Sequence, residues 1–157
     1  MPVSANVVQI SAGPRWRVLI AHQRGAVRHA LRTLIEAADV AVVEVPDGEA
    51  ALAELTFVPF DLLILELDLP DQDGVSVVLT HRLLLAYQRR REEPPDIILT
   101  LPPEVRGSSA VTERLRAQLG SAEFIDDDPR SEVAGLVEMM LRARMARQDA
   151  PGKPAVA

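Results

Sequence analysis

Between Phe60 and Gly74 the sequence reads FDLLILELDLPDQDG, so that Glu66, Asp68, Asp71 and Asp73 follow an uninterrupted apolar run from Leu62 to Leu65. A run of that kind suits a strand buried on both faces. Carboxylates gathered at its carboxyl end are costly to hold together unless something compensates them. In open α/β sheets that same end is where ligands bind. The residue types pose one chemical question: whether Glu66 takes part in a reaction or stands where one would occur.

The elements that must position these acids follow from periodicity. RVLIA, Arg17 to Ala21, predicts a buried strand, and Val27, Leu31, Leu34, Ile35 and Ala38 then share one helical face. Val40 to Val45 returns to strand character, and Asp47 is the expected N-cap of a helix carrying Leu52 and Leu55. After the acid-rich strand, Gly74 leads into an apolar helix through Val78, Leu79, Leu83 and Tyr87, expected to run into Arg89, Arg90 and Arg91 before Pro94 and Pro95 break it. DIILTL, Asp96 to Leu101, predicts a fourth strand, residues 102–109 a loop, and Val111, Leu115 and Leu119 a helix closing at Gly120. A fifth strand is expected over Ala122 to Asp126. Asp128 as cap and Pro129 as first residue then open an amphipathic helix through Val133, Leu136, Val137, Met140, Leu141 and Met145. Strands alternating with helices imply an α/β fold with a doubly wound, five-stranded parallel sheet, and right-handed crossovers gather the loops after strands one, three and four at one end. Residues 1–15 read as a flexible leader in which VVQI (7–10) has short edge-strand character, 16–147 as one domain, and 148–157 as a disordered tail.

Composition narrows the function. A length of 157 residues suits one domain with a full core. A net charge of −6 argues against general nucleic-acid binding, and 3% aromatics are too few for a base-stacking platform. No apolar run is long enough to span a bilayer and no secretory signal opens the chain, so a cytoplasmic protein is expected. The absence of cysteine excludes disulfides, thiolate metal sites and Cys nucleophiles.

The stretches RVLIAHQRGAVRHAL, VVEVPDGEAALA, FDLLILELDLPDQDG and DIILT, in this order and at these spacings, resemble the receiver domain of bacterial response regulators from about Arg17 to about Arg147. That resemblance implies the flavodoxin- and CheY-like (βα)5 arrangement. It also implies a pocket in which an aspartate ending the third strand accepts phosphate from a histidine kinase. There, two acids after the first strand hold Mg²⁺, a Ser or Thr ends the fourth strand, and a Lys ends the fifth. Carried over residue by residue, the phosphoacceptor position holds Glu66, the acid pair falls on His22 and Gln23, and the hydroxyl is kept as Thr100. The switch aromatic is Phe124, and the lysine position falls on Asp127, or on Asp128 with one residue inserted.

Phosphoryl transfer to a carboxylate depends on positioning and on positive charge around the transferring group, and Mg²⁺ asks for oxygen ligands that include carboxylates. His22 and Gln23 supply neither acid, Asp127 repels where a cation would hold phosphate, and Glu66 reaches about 1.5 Å further than an aspartate. The expectation is a stand-alone pseudo-receiver that is no enzyme, needs no cofactor and signals through protein contacts. Its partners would be a histidine kinase, a scaffold or a second copy, met across the face formed by the fourth helix, fifth strand and fifth helix. Glu66 itself has two readings, a built-in mimic of the phosphoryl group or an acid retained after the chemistry lapsed.

Several residues carry further expectations. Glu66, Asp68 and Asp127 should repel one another, with Arg24 or a protonated His22 pairing with Glu66 in place of metal and lysine. A His22–Glu66–Asp68 transition-metal site fits the ligand types, but a plain polar pocket is the simpler expectation. His29 and His81 are expected at the surface. Arg89 to Arg91 read as a solvated helix end, Asp126 to Asp128 as acids welcome at a helix start, and 102–109 as a loop that is either partner-specific or merely tolerated. Two rival functions stand. One is an unconventional phosphoacceptor using Asp68, whose side chain would point to Glu66's side if the chain stayed extended. The other is a flavodoxin-like small-ligand domain, which the lack of a glycine-rich phosphate loop opposes.

Overall fold

The central strand can be buried on both faces only if helices cover both sides of the sheet, and the chain alternates strand and helix accordingly. In a computed structural model, which describes residues 13–37, 39–128 and 130–150, the elements run β1 (Trp16–Ala21), α1 (Gly25–Ile35), β2 (Val40–Val45), α2 (Gly48–Phe57), β3 (Leu62–Glu66), α3 (Gly74–Tyr87), β4 (Asp96–Leu101), a 3₁₀ turn (Pro103–Val105), α4 (Ser109–Leu119), β5 (Glu123–Asp126) and α5 (Glu132–Gln148). All strand pairs are parallel, in the order β2-β1-β3-β4-β5. Strand alternation sorts the core into two layers. Leu19, Leu63, Leu65 and Leu99 join Leu55, Val77 and Leu115 from α2, α3 and α4, whereas Val18, Ile20, Leu62, Ile64 and Ile98 meet Leu31, Val137 and Leu141 from α1 and α5. The chain leaves β1 toward β2 on one side and returns to β3 on the other. The crevice at the carboxyl ends of β1 and β3 is therefore the topological switch point.

Local signals explain where most helices begin. Asp47 Oδ1 accepts from the Ala50 N–H at 2.8 Å, and Asp73 Oδ1 from the Ser76 N–H at 2.6 Å, both in N-cap fashion. Gly74 is required for a different reason. A Cβ there would lie 2.7 Å from the Glu66 carbonyl oxygen, so only glycine lets α3 start this close to the end of β3.

Some boundaries differ from the sequence reading. α1 stops at Ile35, short of Ala38, which lies outside the described residues. β5 begins at Glu123 and not at Ala122. α3 ends at Tyr87, so Arg89 to Arg91 follow the helix; Arg89 takes φ +52° as the chain turns away. α5 opens at Glu132 behind Ser131, not behind Asp128, because the Asp127 N–H still extends the sheet toward the Leu101 carbonyl at 3.2 Å. Pro129, like VVQI (7–10) and the chain after residue 150, lies outside the described residues. His81 is buried, contrary to the expected surface position. It falls on the inward stripe Val77, His81, Leu85, and desolvation by burial lowers its pKa from the usual 6.5. No helix among the described residues is long and apolar enough to cross a membrane.

Candidate functional site

Three backbone continuations bring the predicted residues together. The His22 N–H extends the β1–β2 ladder to the Val45 carbonyl at 3.2 Å, which points the next residues over the switch point. Glu66 ends β3 directly opposite Thr100 in the β3–β4 register. Asp127 extends β5 beside Leu101. Arg28 braces the chain after β1, its Nη1 donating to the His22 carbonyl at 2.6 Å.

Glu66 is only 5% exposed, yet no arginine among the described residues pairs with it; its donors belong to Gln23. The Gln23 backbone N–H donates to Oε2 at 2.8 Å and the Gln23 side-chain amide to Oε1 at 2.6 Å. Both oxygens of the carboxylate are thus gripped by one residue, a strong charge-assisted pair. The His22 ring stands between the two acids. Its Nε2 lies 2.7 Å from Asp127 Oδ1 and its Nδ1 3.6 Å from Glu66 Oε2. The Arg24 backbone N–H donates to Nδ1 at 3.0 Å, so the ring proton belongs on Nε2, where it is donated to Asp127. The ring separates the carboxylates and satisfies one of them.

Arg24 corrects an expectation. Its guanidinium pairs with Asp127 Oδ2 at 3.2 Å and not with Glu66, and it remains 59% exposed. Of the two lysine-position candidates, Asp127 enters the cluster whereas Asp128 is exposed. Asp68 does not join the acids at all: β3 ends at Glu66, residues 67–68 form a turn, and the Asp68 side chain is exposed. Only its backbone carbonyl reaches the cluster, 3.4 Å from the Gln23 amide. The extended-chain premise that put Asp68 beside Glu66 therefore fails at the turn. The expected three-acid repulsion reduces to Glu66 and Asp127, with an imidazole between them.

The potential metal-binding group changes accordingly. Ligand atoms of His22, Glu66 and Asp127 lie within 4.8 Å of one another, with Asp127 replacing Asp68 in the expected set. Both ring nitrogens of His22 and both oxygens of Glu66 already have protein partners. The Mg²⁺ that the resemblance implies does not fit this donor set, because an imidazole nitrogen lies between the two carboxylates and both Glu66 oxygens already accept from Gln23.

Thr100 is 1% exposed, and its hydroxyl has no hydrogen-bond partner among the described residues. Phe124 is half-buried on β5, with the Arg116 guanidinium 4.9 Å from its ring centroid. Arg106 meets Asp126 at 3.2 Å, which ties the 102–109 segment to the end of β5. Asp71, expected only as one more acid, instead fastens the loop after β3 to α2. It accepts from the Gly48 and Glu49 N–H groups at 2.8 and 2.7 Å, and the Gly48 bond leads the causes that lower its pKa from 3.8. The role of Gln23 as the grip on Glu66 had no signal in the sequence beyond its place after the first strand.

Comparison with known proteins converges on one family. A family model described as "Response regulator receiver domain" matches residues 18–104, more than half of the 157-residue chain. No curated protein sequence matches. Among solved structures, the signal receiver domain of the putative response regulator NarL from Mycobacterium tuberculosis superposes with a TM-score of 0.66 at 22% identity, over 83% of this chain and 99% of that one. The Francisella response regulator 1452 receiver domain gives 0.65 at 17% identity, over 82% and 98%. The chemotaxis protein CheY4 of Vibrio cholerae gives 0.63 at 19% identity, over 81% and 97%. At such identities these likenesses speak for the fold.

Proposed function

Starting from the fact that this chain belongs to the response regulator receiver domain family, we propose that it signals by protein contact without taking phosphate at the end of β3. The observation that carries this reading is the double grip of Gln23 on Glu66. An attacking carboxylate oxygen needs a lone pair facing the incoming phosphorus and cations to absorb the transferred charge. Here each oxygen already accepts from an amide donor of Gln23, and the nearby cations are engaged elsewhere, Arg24 with Asp127 and Arg28 with the His22 and Gln23 carbonyls. His22 and Asp127 complete a closed set of hydrogen bonds with no place for a hard cation.

On this reading Glu66 acts as a fixed anchor. It holds the β1–α1 turn in one position through Gln23. Its single charge is smaller than the −1.5 to −2 of a phosphoryl group at neutral pH, so any mimicry is partial. Thr100 beside it and Phe124 one strand further out lead to the surface of α4, β5 and α5. That surface is the proposed contact face for a kinase, a scaffold or another protein. A signalling role without catalysis and a cytoplasmic setting accord with the family. Asp68 is a weaker acceptor candidate, being exposed in a turn away from Thr100.

Amide NMR spectra recorded alone and with Mg²⁺ plus beryllofluoride, a phosphoryl analogue, test the reading. The expected result is no change at Gln23, Glu66, Thr100 or Phe124. Saturable shifts at Thr100 and Phe124 would mean that the pocket still binds a phosphoryl group.

A further inference from the structure

The large apolar side chains left exposed are not scattered. Six among the described residues are exposed, and five of them, Phe57, Leu79, Leu83, Leu84 and Tyr87, lie on the last residue of α2 and on α3. Leu83 is 71% exposed, Tyr87 88% and Phe57 82%. Leu79, Leu83 and Tyr87 recur every four residues, so they form one stripe on the outer side of α3, opposite the buried stripe of Val77, His81 and Leu85. A helix apolar on both sides is ordinarily buried on both sides. Phe57 extends the patch, because α2 and α3 pack side by side and both run back from the carboxyl ends of the strands. Contiguous exposed apolar surface of this kind marks a contact site.

The charges around the stripe say which partner fits. The amino-terminal end of α3 carries exposed Asp68, Asp71 and Asp73, and the chain just past its carboxyl end carries exposed Arg89 and Arg91 beside Arg90, which pairs with Glu92. One end is acidic and the other basic, as in a surface made to meet its own copy turned around. We propose that α3 forms the two-fold contact of a homodimer, packed antiparallel against α3 of a second copy through Leu79, Leu83 and Tyr87. In that arrangement Leu79 faces the second copy's Leu83, and Arg89 comes near the second copy's Asp73. The helix dipoles also oppose one another favourably. The contact is isologous, so it closes at two copies. It uses the α2–α3 side of the sheet and leaves the α4–β5–α5 surface free for the contacts proposed above.

Sedimentation equilibrium on the full chain, at concentrations on the order of 100 μM where a modest interface is populated, tests the proposal. The wild type is expected to be a dimer, and Leu83→Asp a monomer with unchanged circular dichroism and melting, since Leu83 makes little contact within its own chain. Met139→Asp, on exposed α5, serves as the control and stays dimeric. Arg89→Glu raises the dissociation constant several-fold, and added salt weakens the wild type toward the same value. A wild type that stays monomeric overturns the proposal. So does a dimer lost in Met139→Asp but kept in Leu83→Asp, and an Arg89→Glu protein that associates as tightly as wild type overturns the antiparallel arrangement.

Discussion

The two ends of the sheet solve the same electrostatic problem in opposite ways. At the amino-terminal end Arg144 is 3% exposed and saturated with acceptors. It donates to Asp61 at 3.2 Å, to the Pro94 carbonyl at 2.9 Å and to the Glu93 carbonyl at 3.0 Å, while Arg147 pairs with Glu93 and Asp96 at 3.0 and 3.1 Å. Two cations meet three acids there, each acid has a guanidinium partner, and together they lock α5 against the start of β4. At the carboxyl end two acids, Glu66 and Asp127, are held mainly by an amide, a backbone N–H and an imidazole, with one exposed arginine at the margin. The first arrangement is a structural lock, because a cation fully ringed by acceptors has nothing left to offer a ligand. The second holds Glu66 with amide donors and Asp127 with an imidazole and one marginal arginine, beside the Thr100 hydroxyl, which has no partner among the described residues. Acids gathered at a strand end mark a candidate site.

The largest expected effect tests the lock. Arg144→Met strands Asp61 Oδ1 and two carbonyls, and by analogy with broken buried ion pairs it should cost about 3 kcal/mol in denaturant unfolding. A near-neutral result would show that the amino-terminal end is no more rigid than the other. Next comes the anchor. Glu66→Ala leaves the Gln23 backbone N–H without an acceptor and its side-chain amide with only the Asp68 carbonyl at 3.4 Å, and should cost about 1–2 kcal/mol, with faster amide exchange confined to residues 22–28. A loss as large as that of Arg144→Met would erase the contrast between the ends. The smallest effect is an acid dependence. Asp71 is more acidic in the folded chain than its ordinary 3.8, because it accepts the Gly48 and Glu49 N–H groups. Its stabilising contribution is fully present above that ordinary value and is lost as pH falls through the lower folded one. Acidification below pH 3.8 should therefore loosen the α2 amino terminus in wild type more than in Asp71→Asn, read by amide exchange. Equal loosening in the two proteins would take Asp71 out of the account.

Much of this was legible beforehand where local chemistry is self-sufficient. The apolar run before Glu66, the caps Asp47 and Asp73, and the Asp73–Gly74 pair each announce an element whatever surrounds it, since they act on their own backbone. His81 and Arg144 were not legible. Both occupy inward helical positions, and a titratable side chain at such a position is buried only if another segment supplies what it needs. For Arg144 the acceptors come from Asp61, Glu93 and Pro94, some 50 to 83 residues away in sequence.

The sequence by itself determined the order of strands and helices and the acids at the end of β3, because periodicity and capping are short-range. Only the tertiary structure decided which acids meet. It turned Asp68 out at the end of β3, brought Asp127 in from 105 residues beyond His22, and gave Arg24 to Asp127 and not to Glu66. Hydrogen-bond reach is a few ångströms in space, and no spacing along the chain specifies it until the sheet order has placed β1, β3 and β5 side by side with β4.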